Sequence, residues 1–299
     1  MSTNPIFNTI VSKEPITKGW SVDKKYCVTT TDGTRYLLRV SPPSMYESKK
    51  KLFSMMEQIA ALRIPMCVPI EFGLCDDGVY SMQSWINGVD LQSIMPLSSK
   101  TLLSETEQYT LGVQAGKIAK KIHTLPISKP DEEWAVCFNR TIDAKIEEYH
   151  TCGLNIEGDT HMFDYIEENR HLLKNRPQCF LVGDYNVINM MYEKGDLRII
   201  DFERFDIGDP WNEFNCIVWS AMASPHFATG QIHGYFNGEP PMDFFRLLAL
   251  YIVILVLSLL SSWAVESEVG RGITLKLSQD VLRWFNHMQN PVPTWYLLK

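Results

Sequence analysis

Apolar positions in the first ninety residues fall mostly in short β-rich runs, and beyond about Leu91 they recur every three to four residues. Residues 26–40 read as two β-rich runs joined at Thr31-Asp32-Gly33, a turn sequence suited to a hairpin. Ser41-Pro42-Pro43 stops the second run. Over residues 44–62 the apolar side chains Leu52, Met55, Met56 and Ile59 share one face at helical spacing. Residues 68–72 and 79–85 form two more strand-like runs around an Asp76-Asp77-Gly78 turn. These four runs and the helix are read as belonging to a unit of five strands and one helix. Helices then dominate. Residues 105–123 are amphipathic, with Leu111, Ala115, Ile118, Ala119 and Ile122 inward, and helical character continues around Tyr149 and over 162–173, 244–260 and 275–288. One island breaks the pattern: residues 179–202 read as a short hairpin turning at Lys194-Gly195-Asp196.

The predicted class is therefore α+β. A small antiparallel sheet lobe spans 1–88, a larger, mainly helical lobe spans 89–299, and Gly88-Val89-Asp90 is the joint. A chain of 299 residues, 45% of them apolar, can bury two such lobes. Residues 247–265 carry no charge and are long enough to span a membrane. Their flanks are only Arg246 and Glu266, without a basic cluster, and Ser258, Ser261 and Ser262 fall in the second half, so a buried core helix is expected and no membrane partner. Net charge is −7, spread unevenly: residues 1–86 hold 10 basic and 8 acidic side chains, the remainder 18 and 27. An acidic C-terminal part argues against nucleic acid and suits a cationic small substrate. Seven cysteines without a C-x-x-C spacing suggest neither a zinc site nor a disulfide framework, and the first residues lack a basic-then-apolar leader. A reducing cytoplasm is expected.

The chemistry is carried by Asp184, Asn189 and Asp201, five and twelve residues apart on the island. A carboxylate, a carboxamide and a second carboxylate suit phosphoryl transfer: one acid orients the acceptor hydroxyl and takes its proton, while amide and carboxylate oxygens hold Mg²⁺ against phosphates. Hard oxygen ligands suit Mg²⁺, and no histidine lies among them.

Gly183-Asp184-Tyr185-Asn186-Val187-Ile188-Asn189, then Ile199-Ile200-Asp201-Phe202, then Gly208-Asp209-Pro210 resembles the aminoglycoside phosphotransferases and their choline-kinase-like relatives. Their pattern is His-Gly-Asp-x-x-x-x-Asn, Ile-Asp-Phe/Trp and Gly-Asp-Pro. The resemblance implies a bilobal, protein-kinase-like fold with the nucleotide in the cleft between the lobes. It implies Asp184 as catalytic base, Asn189 and Asp201 as Mg²⁺ ligands, ATP or GTP as donor, and a hydroxyl of an aminoglycoside or similar aminated compound as acceptor. Thr17-Lys18-Gly19-Trp20-Ser21 looks like the phosphate-covering loop, with Gly19 and Ser21 as its contacts. Arg39 stands on the strand where relatives place a phosphate-binding lysine. Ser84 and Ile86 match the interlobe linker that meets the adenine edge. An acidic partner for Arg39 is expected on the following helix, at Glu47 or Glu57.

Several positions depart from the pattern. Val182 replaces the histidine, Asn186 and Ile188 replace commoner His and Gly, and Glu203 follows the Asp-Phe pair. A catalytically impaired pseudokinase that binds nucleotide or a metabolite is the alternative. Glu203, Asp206, Glu213 and Asp243 are candidate contacts for an aminated substrate, and Asp209 reads as structural. His123 reads as a helix-end partner, His226 and His233 lack the neighbours of a metal site, and Trp295-Tyr296 reads as packing. No Gly-x-Ser-x-Gly elbow is present.

Overall fold

The computed structural model describes residues 5–19, 21–95 and 102–297. In chain order the elements are β1 (Ile10–Ile16), β2 (Lys24–Thr30), β3 (Arg35–Ser41), α1 (Tyr46–Ala61), β4 (Pro69–Cys75), β5 (Gly78–Ser84) and β6 (Val89–Asp90). Helices α2 (Glu105–Ile122), α3 (Trp134–Thr151) and α4 (Asp159–Asn169) follow. Next come β7 (Cys179–Leu181), β8 (Met190–Glu193), β9 (Asp196–Ile199) and β10 (Asp206–Gly208). The chain then runs through α5 (Ile217–Ala223), α6 (Pro225–Phe236), α7 (Met242–Ser261), α8 (Trp263–Glu266) and α9 (Glu268–Trp284). Two compact units emerge, Met1–Asp90 with Asn189–Glu203, and Leu91–Ile188 with Arg204–Lys299. The chain crosses from one to the other between Ile188 and Asn189 and again between Glu203 and Arg204, so the β8–β9 hairpin groups with the sheet.

The first unit is an antiparallel five-stranded sheet in the order β1-β2-β3-β5-β4. The β2–β3 turn is where the Asp-Gly pair predicts it: Asp32 accepts bonds from Thr30 Oγ1 and Thr34 N, and Gly33 takes a φ of 83°. Val28, Leu38, Val40, Tyr80 and Met82 form the core on one face. The loop at residues 17–19 follows β1 and leads towards β2. A second, three-stranded sheet in the order β6-β8-β9 completes the unit.

The second unit is helical, with the small β7–β10 ladder inside it. Helix α7 is its centre: among others Leu248, Ala249, Ile252, Val253, Val256 and Leu257 are wholly buried. The stretch Met242–Glu266 has the length and apolarity of a membrane span, with a mean hydropathy of 2.4, yet 72% of that window is buried inside the fold. It is a core helix. Aromatic edges from Trp211, Phe214 and Phe236 converge on Phe244 at its start. All seven cysteines are free thiols.

Candidate active site

Asp184 sits on a loop after β7 that is held from several sides within the helical unit. Gly183 has a φ of 83°, and a Cβ there would stand 1.9 Å from the Arg204 carbonyl oxygen, so only glycine fits. The next anchor is Glu213, 3% exposed, whose two carboxylate oxygens accept Val182 N (2.6 Å) and Gly183 N (2.9 Å). His123, at the end of α2, places Nε2 3.3 Å from the same carboxylate and Nδ1 3.0 Å from the Tyr235 hydroxyl. Glu213 and His123 thus fix a loop in which valine stands at the histidine position. On the other side of Asp184, the buried Tyr185 donates its hydroxyl to Ala115 O on α2 (2.8 Å) and accepts Gln231 Nε2 from α6 at its carbonyl (3.2 Å). The half-buried Asp184 carboxylate accepts Asn186 Nδ2 (2.7 Å), and Asn186 Oδ1 accepts Ile188 N (2.9 Å). Asn186 therefore orients the carboxylate, a role absent from the motif pattern.

Helices α2 and α6 reach both ends of Tyr185 because four glycines let their backbones touch. A Cβ at Gly112 or Gly116 would lie 2.1 Å from Phe227 O or Gln231 O, and one at Gly230 or Gly234 would lie 2.3 or 2.2 Å from Tyr109 O or Val113 O. Two G-x-x-x-G pairs facing each other are the sequence signal for such an approach.

In the sheet unit, Asn189 and Asp201 lie at the open ends of the β8–β9 hairpin. Met190 pairs with Ile199, and Ile200 N donates to Asn189 O (3.0 Å). The hairpin is tied to the segment before β4: Ile199 N donates to Pro65 O (3.0 Å) and its carbonyl accepts Cys67 N (3.1 Å). Asp201 has a left-handed φ of 62°, an uncommon conformation that asparagine and aspartate tolerate best, and its Oδ1 accepts Glu203 N (3.3 Å). One carboxamide and one carboxylate fit Mg²⁺, which takes few protein ligands and fills the rest of its octahedron with water and phosphate. Among the described residues no cluster of three His, Cys, Asp or Glu could hold a metal.

Arg39 on β3 is the buried centre of a charged group. Its Nε donates to Asp23 (2.9 Å), and the terminal NH₂ donates to Ser21 Oγ (3.0 Å) and Glu203 Oε1 (2.5 Å). Lys49 on α1 joins it, with Nζ 2.7 Å from both Asp23 Oδ2 and Glu203 Oε1. The Asp23 side chain is fully buried. Burial works against its charge, but the Lys49 hydrogen bond and the Arg39 charge outweigh it and lower its pKa from 3.8 to about 2. Burial likewise opposes the Arg39 charge, yet Glu203, Asp23 and Asp201 together raise its pKa above the usual value.

A sequence profile of the phosphotransferase enzyme family, APH, matches residues 13–245. The chain belongs to that family. No curated protein sequence gives a match. Among solved structures, an apo thermostable mutant of aminoglycoside phosphotransferase APH(4)-Ia is similar, with a TM-score of 0.66 at 16% identity over 93% of this chain and 96% of that one. A choline/ethanolamine kinase family protein from Mesorhizobium loti scores 0.61 at 13% identity over 94% and 91%. The amicoumacin kinase hAmiN, in complex with AMP-PNP, Ca²⁺ and Ami, scores 0.59 at 12% identity over 94% and 90%. The expected kinase-like α+β fold, with a five-stranded antiparallel sheet and a mostly helical part, is the fold of this phosphotransferase.

Of the residues expected to meet nucleotide, Ser21 and Arg39 are brought together by a direct hydrogen bond, and Glu203 on the same guanidinium follows Asp201 by two. Gly19 lies in the β1–β2 loop with a φ of 93°, and Trp20 of that loop falls outside the described residues. Ser84 ends β5, where its hydroxyl accepts Val68 N (2.8 Å) and braces β4; Ile86 is buried on the way to β6. Neither Glu47 nor Glu57 partners Arg39; both are exposed, and the partners come from Asp23 and Glu203 instead. Of the four acids considered for a substrate amine, Glu203 is engaged by Arg39 and Lys49, Glu213 by the loop amides and Asp243 by Arg246. Asp209 is structural: Arg176 grips it twice, at 2.6 and 2.8 Å, and Tyr251 donates to it at 2.7 Å. His233 lies between the hydroxyls of Tyr109 (2.8 Å) and Tyr296 (2.7 Å), which docks the C-terminal segment onto α6.

Proposed function

We propose that this phosphotransferase moves the γ-phosphoryl group of ATP or GTP to a hydroxyl of an aminated small molecule, an aminoglycoside or a compound like it. The observation that carries the reading is the loop around Asp184: an oriented, half-buried carboxylate on a backbone pinned by Glu213, Tyr185 and Asn186. Asp184 accepts the proton of the acceptor hydroxyl as it attacks phosphorus. Asn189 and Asp201 would hold Mg²⁺, which when bound neutralises phosphate charge. Arg39 and Ser21 bind phosphate oxygens, and Ser84 and Ile86 contribute to the adenine site. Little covalent work falls to the protein; positioning and electrostatics supply the rate. The acidic balance of residues 87–299 favours a cationic acceptor. The test is a nucleotide-consumption screen with Mg²⁺ against aminoglycosides, macrolides, choline and amino-sugar metabolites. Turnover with an amine-bearing hydroxyl compound is the expected outcome.

A second reading, a nucleotide-binding pseudokinase, is favoured by one observation: Arg39 already has two carboxylates for partners. Nucleotide binding without turnover on any acceptor would select it.

A further inference from the structure

Lys49 has no place in the phosphotransferase pattern, and its position on α1 is unusual. It lies one turn before Leu52 and Phe53 and two before Met56, on the stripe that faces the sheet, where a further apolar side chain is expected. Its side chain is only 11% exposed. Where the family resemblance calls for an acid opposite the strand cation, α1 supplies a second cation.

Two cations this close need counter-charge, and their two carboxylates are not equivalent. Asp23 is fully buried and also accepts Ser41 Oγ at 2.7 Å, so it belongs to the permanent framework. Glu203 keeps 27% of its side chain exposed and takes both cations on the single oxygen Oε1. That oxygen lies between an arginine fork and an ammonium, a setting whose chemistry equally suits a phosphate oxygen. The cavity against these residues is about 10 Å³, room for one water and not for a phosphate group. An anion that takes both cations from this cavity displaces the Glu203 carboxylate.

We propose that Arg39 and Lys49 form a two-cation seat for a phosphate group of the nucleotide, and that Glu203 fills the seat while no nucleotide is bound. Lys49 is then a phosphate-binding residue contributed by α1. Glu203 is a displaceable internal anion that weakens nucleotide binding in the resting protein. The inference rests on the nucleotide-binding reading for the identity of the anion. In a pure structural strut Lys49 does not touch the anion, and any gain from Glu203→Gln survives in the double variant.

The experiment is calorimetric titration of inorganic triphosphate, with EDTA present, into wild type, Glu203→Gln, Lys49→Met and the double variant. Glu203→Gln should bind roughly tenfold tighter, about the worth of one charge-assisted hydrogen bond no longer competed for. Lys49→Met should bind weaker, and the double variant should lose most of the gain. Glu57→Gln, the same charge change on the exposed side of α1, should leave affinity unaltered. Should Glu203→Gln fail to fold, Glu203→Asp keeps the charge with a shorter reach, and a smaller gain is expected. Unchanged or weaker binding by the Glu203 variant, or a gain that persists in the double variant, overturns the proposal. Turnover in the acceptor screen is independent of this result. A chain that turns over yet shows no Glu203 effect keeps the kinase and loses the seat, and the reverse pattern keeps the seat and loses the kinase.

Discussion

Asp23 and Asp201 are both acids of the sheet unit, and their surroundings ask different things of them. Asp23 is held ionised by Lys49 and Arg39, its pKa lowered from 3.8 to about 2. A lowered folded-state pKa means the stabilisation is complete above the unfolded value near 3.8 and is lost as pH falls from there through about 2. The shift corresponds to about 2 kcal/mol. Asp23→Asn should cost about that much near neutrality and flatten the acid limb between pH 4 and 2, measured by urea unfolding across pH. A variant with the wild-type acid limb would place the linkage elsewhere. Asp201 is constrained by backbone as well as by charge, since its φ of 62° suits aspartate or asparagine. Asp201→Asn should keep the melting temperature while abolishing metal-dependent nucleotide binding. Asp201→Ala should lose both, the conformational part costing about 1 kcal/mol. Unaltered ATP·Mg²⁺ affinity in either variant would remove Asp201 from the ligand set.

At the level of elements, the α2–α6 crossing sets how well the loop that carries Asp184 is held, because Tyr185 is bonded to one helix at its hydroxyl and to the other at its carbonyl. A methyl group at Gly116 would meet Gln231 O at 2.1 Å, on the residue that holds Tyr185. Gly116→Ala should therefore destabilise the protein by about 1–3 kcal/mol and lower kcat through the shifted loop. A methyl group at Gly272, on α9, would meet nothing within 4 Å, and there the same change should stabilise by about 0.5–1 kcal/mol through helix propensity. Melting curves of the pair read two signs from one substitution, and equal effects would contradict the close-crossing account. The sheet and the long helices were legible because local chemistry dictates them. The Asp-Gly turn places β2 and β3, and the apolar stripe at Leu111, Ala115, Ile118 and Ile122 places α2. The first strand was less so: β1 has five exposed residues in a row and carries Pro15, a composition that an edge strand tolerates and that gives no alternation to read.

Across the whole molecule, the residues that the motifs single out are also the ones that short spacings can reveal. Asp184, Asn189 and Asp201 lie within eighteen positions of one another. What supports them does not. Glu203 meets Lys49 across 154 residues and Arg39 across 164, and Glu213 meets Val182 across 31. No periodicity carries such pairings, so Lys49, Asp23 and Glu213 as anchors had to come from the fold, and Glu47 and Glu57 were wrong for the same reason. The residues with proposed roles fall in different units: Arg39, Asn189 and Asp201 belong to the sheet unit, Asp184 to the helical one. That division makes the central claim separable by measurement. ATP·Mg²⁺ is titrated into wild type and Asp184→Asn, and kcat is then compared on the acceptor found by the screen. An amide keeps the shape and the Asn186 neighbour but cannot take the hydroxyl proton, so kcat should fall by about 10²–10⁴ while nucleotide affinity stays nearly constant. Wild-type turnover in Asp184→Asn would contradict the mechanism.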